Sequence, residues 1–136
     1  MDRKELFNSA NRIVIKLGTA VLMRDEGGIA LSRFYSFVEG IAGLIKSGKE
    51  VLLVTSGAVG LGSRALKLTA KPKLLPLKQA CAAIGQGRLM GLYNDAFEKS
   101  DVVAAQVLLT EEDFSNRHRY LNLRSTISQL LELKVL

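Results

Sequence analysis

At 136 residues, 48% of them hydrophobic, the chain has the length of one domain with a buried core rather than of two. A formal charge of +6 raises nucleic acid as a partner, but the basic residues are scattered, with short groupings only at Lys71–Lys73 and Arg117–Arg119 and no interleaved aromatics, which argues against that role. No apolar run approaches the roughly 18 residues of a membrane span and the N-terminus opens no signal-like stretch, so the expectation is a soluble, cytoplasmic protein with no membrane role.

The first element in chain order is Ile13-Val14-Ile15, three β-branched residues that favour a strand buried on both faces. Ala20 to Met23 leads toward a turn at Asp25-Glu26-Gly27-Gly28, where glycine takes left-handed dihedrals cheaply. Ser32 offers a cap for a helix carrying Phe34, Phe37, Val38, Ile41, Leu44 and Ile45 at helical spacing, closed by Ser47-Gly48. Glu50 to Thr55 reads as a second apolar strand, and strand, helix and strand with short links predict a right-handed βαβ unit with parallel pairing.

A proline-marked link, Lys67 to Pro76, precedes a long helix from Leu77 to Phe97. Gly85, Gly87 and Gly91 lie inside it, each costing about 1 kcal/mol against alanine. Their presence points to another backbone passing close by, or to a kink or break. Cys81, the only cysteine, sits among alanines and reads as a small buried side chain. Val102 to Leu109 reads as a third strand, Thr110 and Asp113 have capping-box spacing, a last helix covers Arg119 to Leu133, and Lys134-Val135-Leu136 begins another strand.

Two strand ends carry the chemistry. Lys16-Leu17-Gly18-Thr19 follows the first strand and Ser56-Gly57-Ala58-Val59-Gly60 follows the second. Ligands of open parallel sheets collect at the carboxyl ends of strands. There glycine lets backbone N–H groups approach an oxyanion and lysine adds a mobile cation, the parts that stabilise a transferring phosphoryl group. Neither pattern is a dinucleotide fingerprint or a P-loop. Gly57 and Gly60 read either as phosphate contacts or as a tight turn, Lys16 as a functional cation or a solvent-facing side chain, and Ser56 as a helix cap or a ligand donor. His118 reads as a surface residue and Glu111, Glu112 and Asp113 as helix-terminal acids, with no metal site. Gln86, Arg88, Tyr120 and Asn122 are polar residues for a pocket wall or for the surface.

Four ordered blocks go further. They are Val14 to Thr19; Thr55 to Gly60; Lys78-Gln79-Ala80 with Ala83 to Met90; and Ala105 to Thr110 with Arg119 to Asn122 and Leu130 to Leu133. Together the set resembles the glutamate 5-kinase branch of the amino-acid kinase family, from about Arg12 to the last residue. The resemblance implies a three-layer α/β/α sandwich with a mainly parallel sheet, the carbamate-kinase-like fold, truncated, with residues 1–136 the N-terminal part of a single domain.

It also implies ATP- and Mg2+-dependent phosphorylation of the L-glutamate side-chain carboxylate. Lys16 would steady the transferring phosphate, Gly18, Thr19 and Gly57 would face it, and Ser56, Gly57 and Ala58 would lie at the glutamate end. Thr55 stands where the family often has serine. The resemblance further implies homo-oligomers at full length and proline as a possible feedback inhibitor. The chain is expected to lack the nucleotide-binding portion and to be inactive alone. The alternative is a non-catalytic α/β ligand-binding or protein-interaction module.

Overall fold

The computed structural model describes residues 2–25 and 28–136, so Glu26 and Gly27 of the expected turn lie outside the described residues. The elements run α1 (Arg3–Ser9), β1 (Arg12–Leu17), α2 (Thr19–Leu22), α3 (Leu31–Lys46), β2 (Glu50–Thr55), α4 (Ala58–Ala65), α5 (Leu75–Glu98), α6 (Glu112–Ser115) and α7 (Arg117–Glu132). Strands β1 and β2 pair in parallel, from Arg12 opposite Glu50 to Leu17 opposite Thr55, and α3 is the crossover between them. This is the βαβ unit expected from the alternation of elements, a mixed α/β fold with a parallel sheet flanked by helices.

The expectation that the first strand is buried on both faces is corrected. Along β1 exposure alternates, and Leu17 is buried while Val14 is 63% exposed. In-register parallel partners share a face, so Val54, which is 51% exposed, lies on the open side with Val14 and Lys16. The other face packs Leu17, Ile15, Val51 and Leu53 against Phe34, Val38 and Ile41 of α3 and Leu89, Tyr93 and Phe97 of α5. A run of β-branched residues specifies an extended backbone; the period of two and the position of α3 and α5 decide which side is covered.

Helix α3 starts at Leu31 after Ala30, with no side-chain cap. Ser32 therefore lies within the first turn, where its carbonyl accepts the Ser36 hydroxyl at 3.0 Å. The expected stop holds. Gly48 has φ +90, its N–H donates to the Ile45 carbonyl, and the Lys49 N–H donates to the Leu44 carbonyl. These two bonds are a Schellman closure, which satisfies carbonyls that would otherwise be orphaned.

Helix α5 starts two residues before the expected Leu77, with Pro76 in its first turn, and runs unbroken through its glycines. Its buried stripe recurs every four residues, Cys81, Gly85, Leu89, Tyr93 and then Phe97. Helix α4 offers the same spacing with Ala58 and Gly62. A Cβ on Gly62 would stand 1.8 Å from the Cys81 carbonyl oxygen, and one on Gly85 would stand 1.7 Å from the Ala58 carbonyl oxygen. The reading of close backbone approach is correct at Gly85. At Gly87 and Gly91 nothing lies within 4 Å of a built Cβ, so those two glycines serve no such contact.

Val102 to Leu109, expected as a third strand, forms no strand among the described residues. Two backbone bonds tie its first half to the last residue. The Ala105 N–H donates to the Leu136 carbonyl at 2.8 Å and the Leu136 N–H donates to the Val103 carbonyl at 2.9 Å, the alternation of a parallel pair. Extended propensity becomes a strand only where a partner backbone runs alongside, and here that partner is the terminal segment.

The Asp113 carboxylate accepts both the Thr110 N–H (2.7 Å) and its hydroxyl (2.8 Å). The Thr110 backbone bond first, then its side chain, hold that carboxyl below the ordinary aspartate range, with the Arg119 charge adding to the effect. Asn116 caps α7 by accepting from the N–H groups of His118 and Arg119, which starts the helix two residues before the expected Arg119. Among the described residues no helix is long and apolar enough to cross a membrane.

The α4–α5 contact yields a direct test by urea unfolding. Gly62→Ala and Gly85→Ala should each lose about 1–3 kcal/mol or more, because the obstructing atoms are backbone. Gly87→Ala, at an open helical position, should gain about 1 kcal/mol. Similar stabilities for all three variants would contradict the assignment of the close approach to Gly62 and Gly85.

Candidate functional site

The carboxyl ends of β1 and β2 lie side by side because Leu17 is paired with Thr55. Beyond that pair the first chain segment turns at Gly18 into α2 and the second turns through Ser56 and Gly57 into α4. The two turns are tied together by their own polar groups. The Ser56 N–H donates to the Leu17 carbonyl at 3.1 Å, the Ser56 hydroxyl donates to the same oxygen at 3.3 Å, and the Thr19 hydroxyl donates to Ser56 Oγ at 3.2 Å. The structure thus brings together Gly18 and Thr19 with Ser56, Gly57 and Ala58, two groups far apart in sequence.

Gly57 is the N-cap of α4, with φ +118. A side chain at this dihedral is strained, and nothing lies within 4 Å of a built Cβ. The glycine is required by the turn itself, and the space before it is open. No side chain caps α4. Ser56 therefore does not fill the capping role weighed for it, since its hydroxyl is committed to Leu17 and Thr19. The first N–H groups of a helix without a cap point outward, beside the positive end of the helix dipole, and suit an anion. Gly18, likewise, has nothing within 4 Å of a built Cβ.

Lys16 stands one residue before the last pair, in register with Val54 and exposed on the open face. It supplies a solvent-accessible cation next to two glycine turns. Among the described residues no group of three or more His, Cys, Asp or Glu gathers to hold a metal ion. Lys16, Gly18, Ser56 and Gly57 line neither of two cavities found among the described residues. One lies between the end of α3, the start of β2 and the end of α7. The other is an open cleft bearing Arg24, Arg64, Arg88 and Asp95 over an apolar floor that includes Leu61 and Leu92. Arg88 is thus a cleft residue, while Tyr120 and Asn122 are exposed on α7 and His118 is exposed near its start.

Sequence reasoning missed Tyr93 as a polar neighbour of the site. Its side chain is buried among Phe34 and Phe97, yet its hydroxyl is 2.8 Å from Thr55 Oγ1 at the end of β2. Burial pushes the phenol above its ordinary range, against a smaller opposing effect of the Thr55 hydrogen bond, so it keeps its proton at neutral pH. The four-residue stripe through Cys81, Gly85 and Leu89 places Tyr93 on the buried side of α5. Nothing in that spacing indicates that its hydroxyl reaches Thr55.

Comparison with known proteins adds an independent line. The amino acid kinase family matches residues 11–136. A glutamate 5-kinase of Caldanaerobacter subterraneus subsp. tengcongensis is 50% identical over 125 residues, covering 92% of this chain and 34% of the relative. One from Methanococcoides burtonii is 42% identical over 135 residues, 99% of this chain and 36% of the relative. One from Thermoanaerobacter sp. (strain X514) is 50% identical over 121 residues, 89% and 32% respectively. The chain spans about a third of the length of the curated relatives it matches.

The Gly57 turn supplies a stability test of its own. Gly57→Ala should cost about 1–3 kcal/mol from left-handed backbone strain alone, since no neighbour obstructs the new methyl. Urea unfolding checks this, and an unchanged midpoint would contradict the left-handed turn.

Proposed function

The chain belongs to the amino acid kinase family, and from that premise we propose that it forms the glutamate and phosphate side of a glutamate 5-kinase. In this reading the 136 residues are part of one kinase domain, and residues outside them bind the rest of the nucleotide. The supporting observation is the pair of open glycine turns, locked together through Thr19, Ser56 and Leu17 at adjacent strand ends. The reaction transfers the γ-phosphoryl of ATP to the side-chain carboxylate of L-glutamate. A carboxylate oxygen forms the new bond to phosphorus, and the bond to the bridging oxygen breaks, leaving ADP with that electron pair.

A glutamate side chain ordinarily loses its proton at about pH 4.3, so at neutral pH it is already an anionic nucleophile and needs no base. The difficulty is bringing two anions together. Lys16 places positive charge against the transferring phosphoryl group. Gly18, Thr19 and Gly57 let backbone N–H groups approach its oxygens, while Ser56, Gly57 and Ala58 orient the glutamate. Mg2+ with ATP supplies further neutralisation of phosphate charge when bound. The roles assigned to this chain rest on Lys16, on Ser56 and on the backbone of the two turns. Homo-oligomer assembly and feedback inhibition by proline accompany this proposal through the same family relationship.

The exposed Val14 and Val54 face is the observation that favours a non-catalytic protein-interaction module. Such a module has no use for Lys16 as a phosphoryl cation, and the two readings part on that residue. In the intact enzyme, Lys16→Ala should lower kcat/KM for glutamate about 10²–10³-fold, the range for losing one charge-stabilising donor. ADP release coupled to glutamate is the measurement. Unchanged catalytic efficiency would remove Lys16 from the mechanism.

A further inference from the structure

Tyr93 forms no hydrogen bond to the residues assigned above to glutamate or phosphate, yet it is bonded to the residue immediately before Ser56. It is only 3% exposed, with its ring centroid 5.1 Å from that of Phe34 and 6.1 Å from that of Phe97. Phenylalanine would satisfy such surroundings. A hydroxyl there loses its water and costs free energy unless a partner is provided. The partner is Thr55 Oγ1 at 2.8 Å.

Thr55 ends β2 opposite Leu17, and Leu17 in turn accepts both the N–H and the hydroxyl of Ser56. The Thr55-Ser56 segment is therefore held from two sides, by α5 through the Tyr93 hydroxyl and by β1 through the Leu17 carbonyl. Gly57, the next residue, has the backbone freedom that such tethering has to restrain. Tyr93 is well suited to the task, because packing against two rings leaves its hydroxyl with little freedom of position.

We propose that Tyr93 is a positioning residue that acts through Thr55 to fix the Ser56-Gly57 turn in the orientation that receives the substrate carboxylate, an inference that rests on reading that turn as the glutamate end of the site. Removing the hydroxyl leaves the aromatic packing intact and releases only the tether. The cost falls on alignment at the turn, whereas Lys16, on the other face of the sheet, keeps its place.

The experiment is steady-state kinetics and thermal unfolding of the intact enzyme with Tyr93→Phe, Thr55→Val, the double variant and Thr55→Ser. Tyr93→Phe should raise KM for glutamate about ten-fold, the scale of one well-formed hydrogen bond, with KM for ATP held within about two-fold. Thr55→Ser, which keeps a hydroxyl, should stay near the wild-type KM. The double variant should be no worse than the more affected single variant, because both remove the same bond. A wild-type glutamate KM in Tyr93→Phe would overturn the proposal. So would a loss of kcat in proportion to loss of folded protein, with both KM values unchanged.

If the wild-type enzyme shows no glutamate-dependent release of ADP, the glutamate reading itself fails. Backbone amide shifts then decide the role of Tyr93 separately. Changes in Tyr93→Phe that concentrate at Ser56 and Gly57 support positioning; unchanged shifts there end it.

Discussion

The carbonyl of Cys81 meets Gly62 and the carbonyl of Ala58 meets Gly85 at separations that leave no room for a Cβ on either glycine. This reciprocal contact holds Ala58 and Gly62 of the short α4 against Cys81 and Gly85 of α5. Without it, α4 has little to hold its direction, since no side chain caps its start and it spans only 8 residues. With it, the left-handed Gly57 turn has a fixed exit. The same helix α5 buries Leu89, Tyr93 and Phe97 in the core shared with α3 and the covered face of the sheet. The helix that fixes α4 thus also holds β2, and the turn between them inherits its position from both.

In the proposed reaction that placement matters, because the two reacting partners would be anions that repel one another. A site for two anions needs donors that are already oriented, so that little reorganisation accompanies charge transfer. Backbone N–H groups at a helix start meet this need only if the helix cannot swing. The hydroxyl and amide links among Leu17, Thr19 and Ser56 join the second strand end to the first, bringing the turn after β2 within reach of Gly18. Lys16 remains outside this bonded set, exposed on the open face of the sheet in register with Val54.

Much of this was legible in the sequence. Ile13-Val14-Ile15 and the run from Val51 to Val54 marked their strands through β-branching and apolar continuity, and Ser47-Gly48 marked a helix end through glycine's freedom at positive φ. Gly85 signalled close approach, but Gly87 two residues later carried the same signal with no neighbour to answer it. Single-residue identity cannot tell which side of a helix faces a partner until that partner is placed. The same limit explains Val14. Its branching specified a strand, whereas its exposure follows from α3 and α5 covering the opposite face. Val102 to Leu109 has strand composition without a full-length partner, and its bonds to Leu136 through Val103 and Ala105 do not extend into a ladder among the described residues. At the candidate site, the positions of the glycines and Lys16 at strand ends could be read from the sequence. The Tyr93–Thr55 bond was not, because it joins a helix stripe to a strand end through side chains 38 positions apart.

If the joined ends of β1 and β2 are the site, substrate meets this chain there and not in the arginine-bearing cleft beside α4 and α5. Backbone amide shifts of the isotopically labelled protein, titrated with L-glutamate in the presence and absence of a non-hydrolysable ATP analogue with Mg2+, test this most directly. The largest changes should fall at Gly18, Thr19, Ser56 and Gly57. Changes centred on Arg24, Arg64 and Arg88, with those four amides unmoved, would contradict the assignment.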